Sequence, residues 1–281
     1  MLKNLFLCSI SLLSLATFAQ SPTGKIVVKK GQHFQIESKA DGNVSQEMMG
    51  QSMAMTIGTN TQMTADIKDF KDNNYTITQK ITHVKSSFNG MGQDKTFDSD
   101  KKEDMDGEAG AIYKDKINVA KDLVVTNEGK TIAAMDTANK TVDTNPMSAM
   151  MDMMNGGHEN AGAALFLVIP AGKKIGDKWQ DSTLSEGIKL VRNFTLNSIT
   201  NKEASITINS VMDINKTMQL QGMDMKTAMT SKIVSNVLVD VISNIQKENK
   251  STTDVTGTID VMGQTVPITS KIITATTIKA I

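Results

Sequence analysis

Between Ala204 and Ile214 the side chains alternate strictly. Ala204, Ile206, Ile208, Ser210, Met212 and Ile214 fall on one side, and Ser205, Thr207, Asn209, Val211 and Asp213 on the other. A two-residue period is the signature of a half-buried strand, because successive side chains of an extended chain point to opposite faces. The preceding run places Leu190, Phe194 and Leu196 together, with Asn201-Lys202-Glu203 as a turn, so the two runs are predicted to form an antiparallel hairpin. Similar runs occur at Tyr75-Thr76-Ile77-Thr78, Ile233 to Ile242, Val255 to Val261 and Val266 to Ile278, rich in the Thr, Val and Ile that strands favour. Pro267 has no N–H to give to a ladder, which predicts a sheet edge or a bulge at its strand. A further compact hairpin is expected to turn at Asn127-Glu128-Gly129.

The tripeptide Met-Gly-Gln occurs at 49–51, 91–93 and 262–264, each time between strand-like runs, where glycine supplies turn geometry. Two copies extend further: MGQSMAMTIGTNTQMT (49–64) aligns with MGQTVPITSKIITATT (262–277). The expected fold class is therefore all-β, a strongly curved antiparallel sheet built as a half-barrel or as two related β halves. The divisions expected are a leader at 1–19, an N-terminal β half at 20–144, a methionine-rich helix and linker at 145–159, and a C-terminal β half at 160–281.

The leader rests on MLKNLFLCSISLLSLATFA. Lys3 gives a basic start, Leu5 to Leu15 an apolar stretch, and Thr17 and Ala19 the small residues of a cleavage site. The apolar stretch is shorter than the ~20 residues a spanning helix needs. Cleavage near Ala19 and a periplasmic or secreted location follow as expectations, with no transmembrane segment in the mature chain. Cys8 lies inside the apolar stretch behind Leu5, Phe6 and Leu7, so it is expected to leave with the leader. No cysteine chemistry then remains.

Charge separates few partners. The chain carries 30 basic and 30 acidic residues, without the clustered basic surface that nucleic acid requires. One Trp and two Tyr do not supply the two aromatic girdles of a membrane-spanning barrel. His33, His83 and His158 are the only histidines, and none sits in a zinc-protease or nucleophile-elbow motif, so neither a catalytic site, a metal nor a cofactor is expected. The charged stretch Asp98 to Gly110 matches a calcium loop only at Asp98 and Asp100, since Lys102 and Glu103 stand where a ligand and a glycine are needed; it reads as a solvated loop.

The stretch NPMSAMMDMMNGGH (145–158) breaks the alternation. Met147, Met150, Met151 and Met154 stand at i, i+3, i+4 and i+7, one stripe of a short helix that Thr144 or Asn145 caps, Pro146 begins and Gly156-Gly157 ends. So short a helix is unstable alone in water. Its methionine face has three readings: core filling against the sheet, a pliable lid over a hydrophobic ligand, or thioether ligation of Cu(I). Methionines also cluster at 48–63 and 212–229.

Lys30-Gly31-Gln-His-Phe34, Phe97-Asp98-Ser99 and Pro170-Ala-Gly-Lys-Lys-Ile175-Gly176-Asp177-Lys178-Trp179 together resemble an uncharacterised family of secreted bacterial β proteins with a mid-chain Gly-Asp-x-Trp motif. That resemblance implies a fold over nearly the whole mature chain and no activity. At fold level the pattern is similar to lipoprotein-carrier and lipocalin-like half-barrels, which implies acyl chains held on a concave face. The expected function is a non-catalytic binder of lipid or another apolar small molecule, touching Met147, Met150, Met151, Met154, Phe166 and Trp179. The alternative is a structural or interaction module of the envelope with no small ligand. For Trp179 the residues alone also offer a purely structural anchor, its indole packed on the sheet.

Overall fold

The computed structural model describes residues 22–48, 51–90, 92–135, 163–185, 187–220, 223–261 and 264–281. Twelve strands make one antiparallel sheet: β1 (His33–Met48), β2 (Gln51–Lys71), β3 (Asn74–Gly90), β4 (Gln93–Asp98), β5 (Ala120–Thr126), β6 (Thr131–Met135), β7 (Lys178–Ser185), β8 (Ile188–Thr200), β9 (Glu203–Leu220), β10 (Met223–Asp240), β11 (Gln246–Val261) and β12 (Gln264–Ala280). Their order is β6-β5-β3-β2-β1-β12-β11-β10-β9-β8-β7, with β4 beside β3. Two meanders, one from each half of the sequence, are thus joined where the first strand pairs the last, Ile36 opposite Ile278. The sheet is open: β6 and β7 each pair one neighbour among the described residues. The two segments aligned in the sequence, from Gln51 and from Gln264, begin the two strands that flank β1.

Turn chemistry separates the two ends. At the far end, the register pairs Met48 with Gln51, Gly90 with Gln93, Ser185 with Ile188, Leu220 with Met223 and Val261 with Gln264, so each hairpin has a two-residue link ending in glycine. All three Met-Gly-Gln copies are such links. Gly187 has φ +81, and a Cβ there would lie 2.2 Å from the Asn215 carbonyl oxygen, so only glycine fits. At the near end Asp72-Asn73 and Asn201-Lys202 take positive φ at both positions, the geometry of hairpin turns that follow the strand twist. The predicted β8–β9 hairpin forms with Phe194 opposite Ile208 and Leu196 opposite Ile206, and Asn127-Glu128-Gly129 links β5 to β6.

Two expectations need correction. Pro267 lies in β12, which is central rather than an edge strand, and no bulge marks it. The ladder to β1 stops at Ile268 opposite Gln46, one residue before the proline, so the missing N–H falls where β1 no longer pairs. The charged stretch expected as a loop carries helices α1 (Lys102–Asp106) and α2 (Glu108–Tyr113), between β4 and β5, which share the same edge of β3. Glu103 and Asp104 in the first turn of α1 suit the positive end of a helix, a preference that the residue spacing alone did not reveal. The methionine-rich helix expected at 145–159 lies outside the described residues.

One face of the sheet holds the core. At the near end, the N-terminal meander gathers Phe34, Ile36, Met63, Ile67, Ile77 and Leu123, and the C-terminal meander gathers Phe194, Leu196, Ile206, Val237 and Val239. Residues 163–169 run over both: Leu165 and Phe166 pack on the first cluster, Leu167 and Ile169 on the second. Each such side chain contributes about 1.5 to 3 kcal/mol by leaving water. This segment and Ile26 therefore tie the two meanders together at that end.

Candidate functional site

Asn244 makes the tie specific. Fully buried (0 % exposed) and held at φ +58, it donates its amide to Thr23 Oγ1 (3.1 Å) and the Lys25 carbonyl (2.8 Å), and its Oδ1 accepts from Ile169 N (2.9 Å). Its own carbonyl accepts from Leu167 N at 2.9 Å. Gln246 adds a donor to the Ala164 carbonyl at 2.7 Å, and Tyr75 Oη donates to the Ile26 carbonyl at 3.0 Å. Asp240 braces the same turn; burial pushes its carboxyl pKa up, but donors from Ser243 and Ile242 outweigh this and hold it below the ordinary value. The near end of the core face is thus closed over by residues 23–26 and 163–169.

The far end of that face differs. Val44, Met55, Ile57, Ile214, Met229 and Ile268 form a third buried apolar cluster, flanked by Phe88, Met212 and Ile188. The register sets Met53, Met55, Met212, Met225 and Met229 on the same face, in the far-end portions of β2, β9 and β10. Methionine adapts its shape more readily than branched residues, so this lining is pliable. Between the two ends runs a belt of small side chains across six adjacent strands: Ser86, Thr59, Ala40, Thr274, Ser251 and Ser235, each opposite the next. Polar atoms on this face go without partners: Thr227 Oγ1, Asn249 Oδ1 and Ser270 Oγ are buried and make no hydrogen bond.

Of the residues expected to touch a ligand, Phe166 is in the near-end core, bridged to Ile245. Trp179 stacks on Phe194 across the β7–β8 pair, centroids 5.0 Å apart and rings nearly parallel, with Lys173 Nζ 5.8 Å from the indole centroid. Its motif is a clamp: Gly176 N donates to the Leu196 carbonyl (2.7 Å), Leu196 N to the Asp177 carbonyl (3.0 Å), and Lys174 N to Asp177 Oδ2 (2.9 Å). The indole thus occupies the anchor position that the residues allowed. Met147, Met150, Met151 and Met154 lie outside the described residues.

The opposite face carries a polar cluster that sequence spacing did not find, because strand pairing brings together residues fifteen apart. His83 and Asp98 share a hydrogen bond (Nε2 to Oδ1, 2.9 Å), Lys85 Nζ sits 3.1 Å from Asp98 Oδ2, and Asp100 Oδ2 is 3.6 Å from His83. The His83 hydrogen bond, with the Asp100 backbone N–H and Lys85, holds the Asp98 carboxyl down to about 2. His83, Asp98 and Asp100 could hold a metal ion by proximity, but Lys85 already neutralises Asp98, and the group reads as a self-contained ion-pair cluster. Beside it, an open groove of 400 Å³ between the sheet and α1 balances Lys39, Lys85 and Lys101 against Asp41, Asp98 and Asp104.

The class defined here is a single open antiparallel sheet with one apolar face. A solved structure of lipovitellin, titled for its lipid–protein interactions, superposes on 89% of this chain with a TM-score of 0.55 at 11% identity. This chain spans 25% of that one. An outer-membrane channel from Pseudomonas putida F1 covers 92% of this chain and all of its own length (100%) at 7% identity and a TM-score of 0.26, too low to argue from. By sequence, residues 163–245 match DUF6263, a family of unknown function. The matched stretch begins at the segment that crosses both meanders and ends beside Asn244, so it contains Asn244 and its partners Ile169 and Leu167. No curated protein matches the chain. No described helix is long and apolar enough to cross a membrane, which leaves strands out of account.

Proposed function

We propose that this is a non-catalytic, secreted or periplasmic protein that holds a lipid or another apolar ligand against the far end of its core face. In this reading the leader is removed near Ala19, and the sheet curves around the face to shelter the ligand. The observation that carries it is the third apolar cluster with its methionine lining: a buried, pliable, apolar surface that none of the described segments crosses, unlike the near end. The fold likeness to lipovitellin is consistent with it.

The test is titration of solvent-extracted protein with the neutral dye N-phenyl-1-naphthylamine. Saturable fluorescence that oleyl alcohol displaces, and that Met225→Glu weakens while circular dichroism stays unchanged, supports the reading. A dye signal that does not saturate, or that Met225→Glu leaves alone, removes it. The open edges at β6 and β7 favour a second reading, an envelope interaction module that pairs strands with another protein; it predicts binding to a partner and no dye site.

A further inference from the structure

Among the described residues, the apolar face carries cations at its far end: Lys95 opposite Phe88 on one side and, beside the methionines of β9 and β10, Lys216. On β9, Lys216 shares the core-face side with Met212 and Ile214, and its register partner on β10 is Thr227. Directly opposed residues on one face have Cβ atoms about 5 Å apart, so the ammonium and the hydroxyl can reach one atom between them. Thr227 is 3 % exposed, and its Oγ1 is one of the buried atoms that make no hydrogen bond. Lys216 has no ion-pair or hydrogen-bond partner among the described residues, and it is itself partly buried. A buried hydroxyl without a partner is a cost of about 1 to 3 kcal/mol that folded proteins rarely leave standing. A cation beside it, at the rim of an apolar face, supplies what an acidic group lacks there.

We infer that Lys216 and Thr227 bind the anionic head of an amphiphile whose hydrocarbon tail lies along Met229, Ile214 and Met55. The inference rests on the apolar-face reading above and names its ligand class: a long-chain molecule with one carboxylate or phosphate head. The head sits at the strand ends, where β9 closes at Leu220, so it stays near water while the tail runs inward. Lys216 supplies charge and Thr227 a donor hydroxyl, the pairing that makes charge-assisted hydrogen bonds stronger than neutral ones.

Two probes with the same chain separate the head from the tail: oleate and oleyl alcohol, each displacing N-phenyl-1-naphthylamine from the full-length mature protein, with sodium acetate and inorganic phosphate as tailless controls. Oleate should displace at about one tenth the concentration that oleyl alcohol needs. Lys216→Met, which keeps the apolar stem, should erase that tenfold preference while leaving oleyl alcohol unchanged, and Thr227→Val should weaken oleate while raising thermal stability. If oleate and the alcohol compete equally, or Lys216→Met leaves the preference intact, the head site is wrong and the apolar face stands. Competition by acetate or phosphate alone would make this an anion site without a tail and would equally overturn the proposal. If neither oleate nor oleyl alcohol displaces the dye, the face itself fails with it.

Discussion

Replacing Asn244 by alanine should destabilise the protein by about 4 kcal/mol. Three side-chain hydrogen bonds vanish at a fully buried position, and each is worth about 1 kcal/mol net. The Ile169 N–H is then left buried without an acceptor, which adds to the loss. Alanine keeps the Cβ that crowds the following carbonyl at φ +58, a strain of roughly 1 kcal/mol that Asn244 already bears and glycine relieves. Asn244→Gly removes the bonds but not the backbone freedom, so it should cost about 1 kcal/mol less than alanine. Urea unfolding followed by Trp179 emission gives both values, and hydrogen exchange of the amides of residues 22–28 and 163–169 shows where the structure loosens. Variants within 0.5 kcal/mol or so of the parent would refute the view that this amide joins the meanders. An alanine value equal to glycine's would refute the backbone part alone.

Other predictions follow from the same kind of argument. Gly187→Ala meets both a positive φ and the Asn215 oxygen at 2.2 Å, so the midpoint of urea unfolding should fall by the equivalent of about 2 kcal/mol or more. Asp98 has its carboxyl pKa lowered from 3.8 to about 2 in the folded protein, so its contribution is present above pH 4 or so and disappears as pH falls toward 2. Asp98→Asn should flatten that part of the stability profile, and a profile unchanged by the substitution would contradict the pairing with His83 and Lys85. Trp179→Ala removes the stack on Phe194 and should lower stability by about 2 to 3 kcal/mol, read by thermal unfolding; no loss would mean that the indole does not anchor β7.

The strand content was legible because alternation at Ala204 to Ile214 survives in the register, with Ile206, Ile208 and Ile214 all on the core face. The Met-Gly-Gln copies marked hairpin links, since glycine adopts the positive φ that tight turns favour. What alternation could not reveal is strand order: nothing local tells β1 to pair β12, because that contact joins residues more than two hundred apart. Pro267 misled for the same reason, since its tolerance depends on where the neighbouring ladder stops. The Asn244 clasp gave no signal, because one asparagine in a turn looks like any other until its partners arrive from residues 23, 25 and 169. Lys216 and Thr227 were invisible as a pair until the β9–β10 register set them opposite each other. The place of Phe166 in the near-end core was not legible either, because it depends on the segment carrying it crossing the sheet.

The most direct test of the account is native mass spectrometry of the protein exported to a bacterial periplasm with its own leader and purified without detergent. The account predicts a mature mass beginning near Gln20 and an adduct, released by organic solvent, that has the mass of a long-chain amphiphile. A protein that carries no adduct, and that fails to take up oleate after extraction, would contradict it.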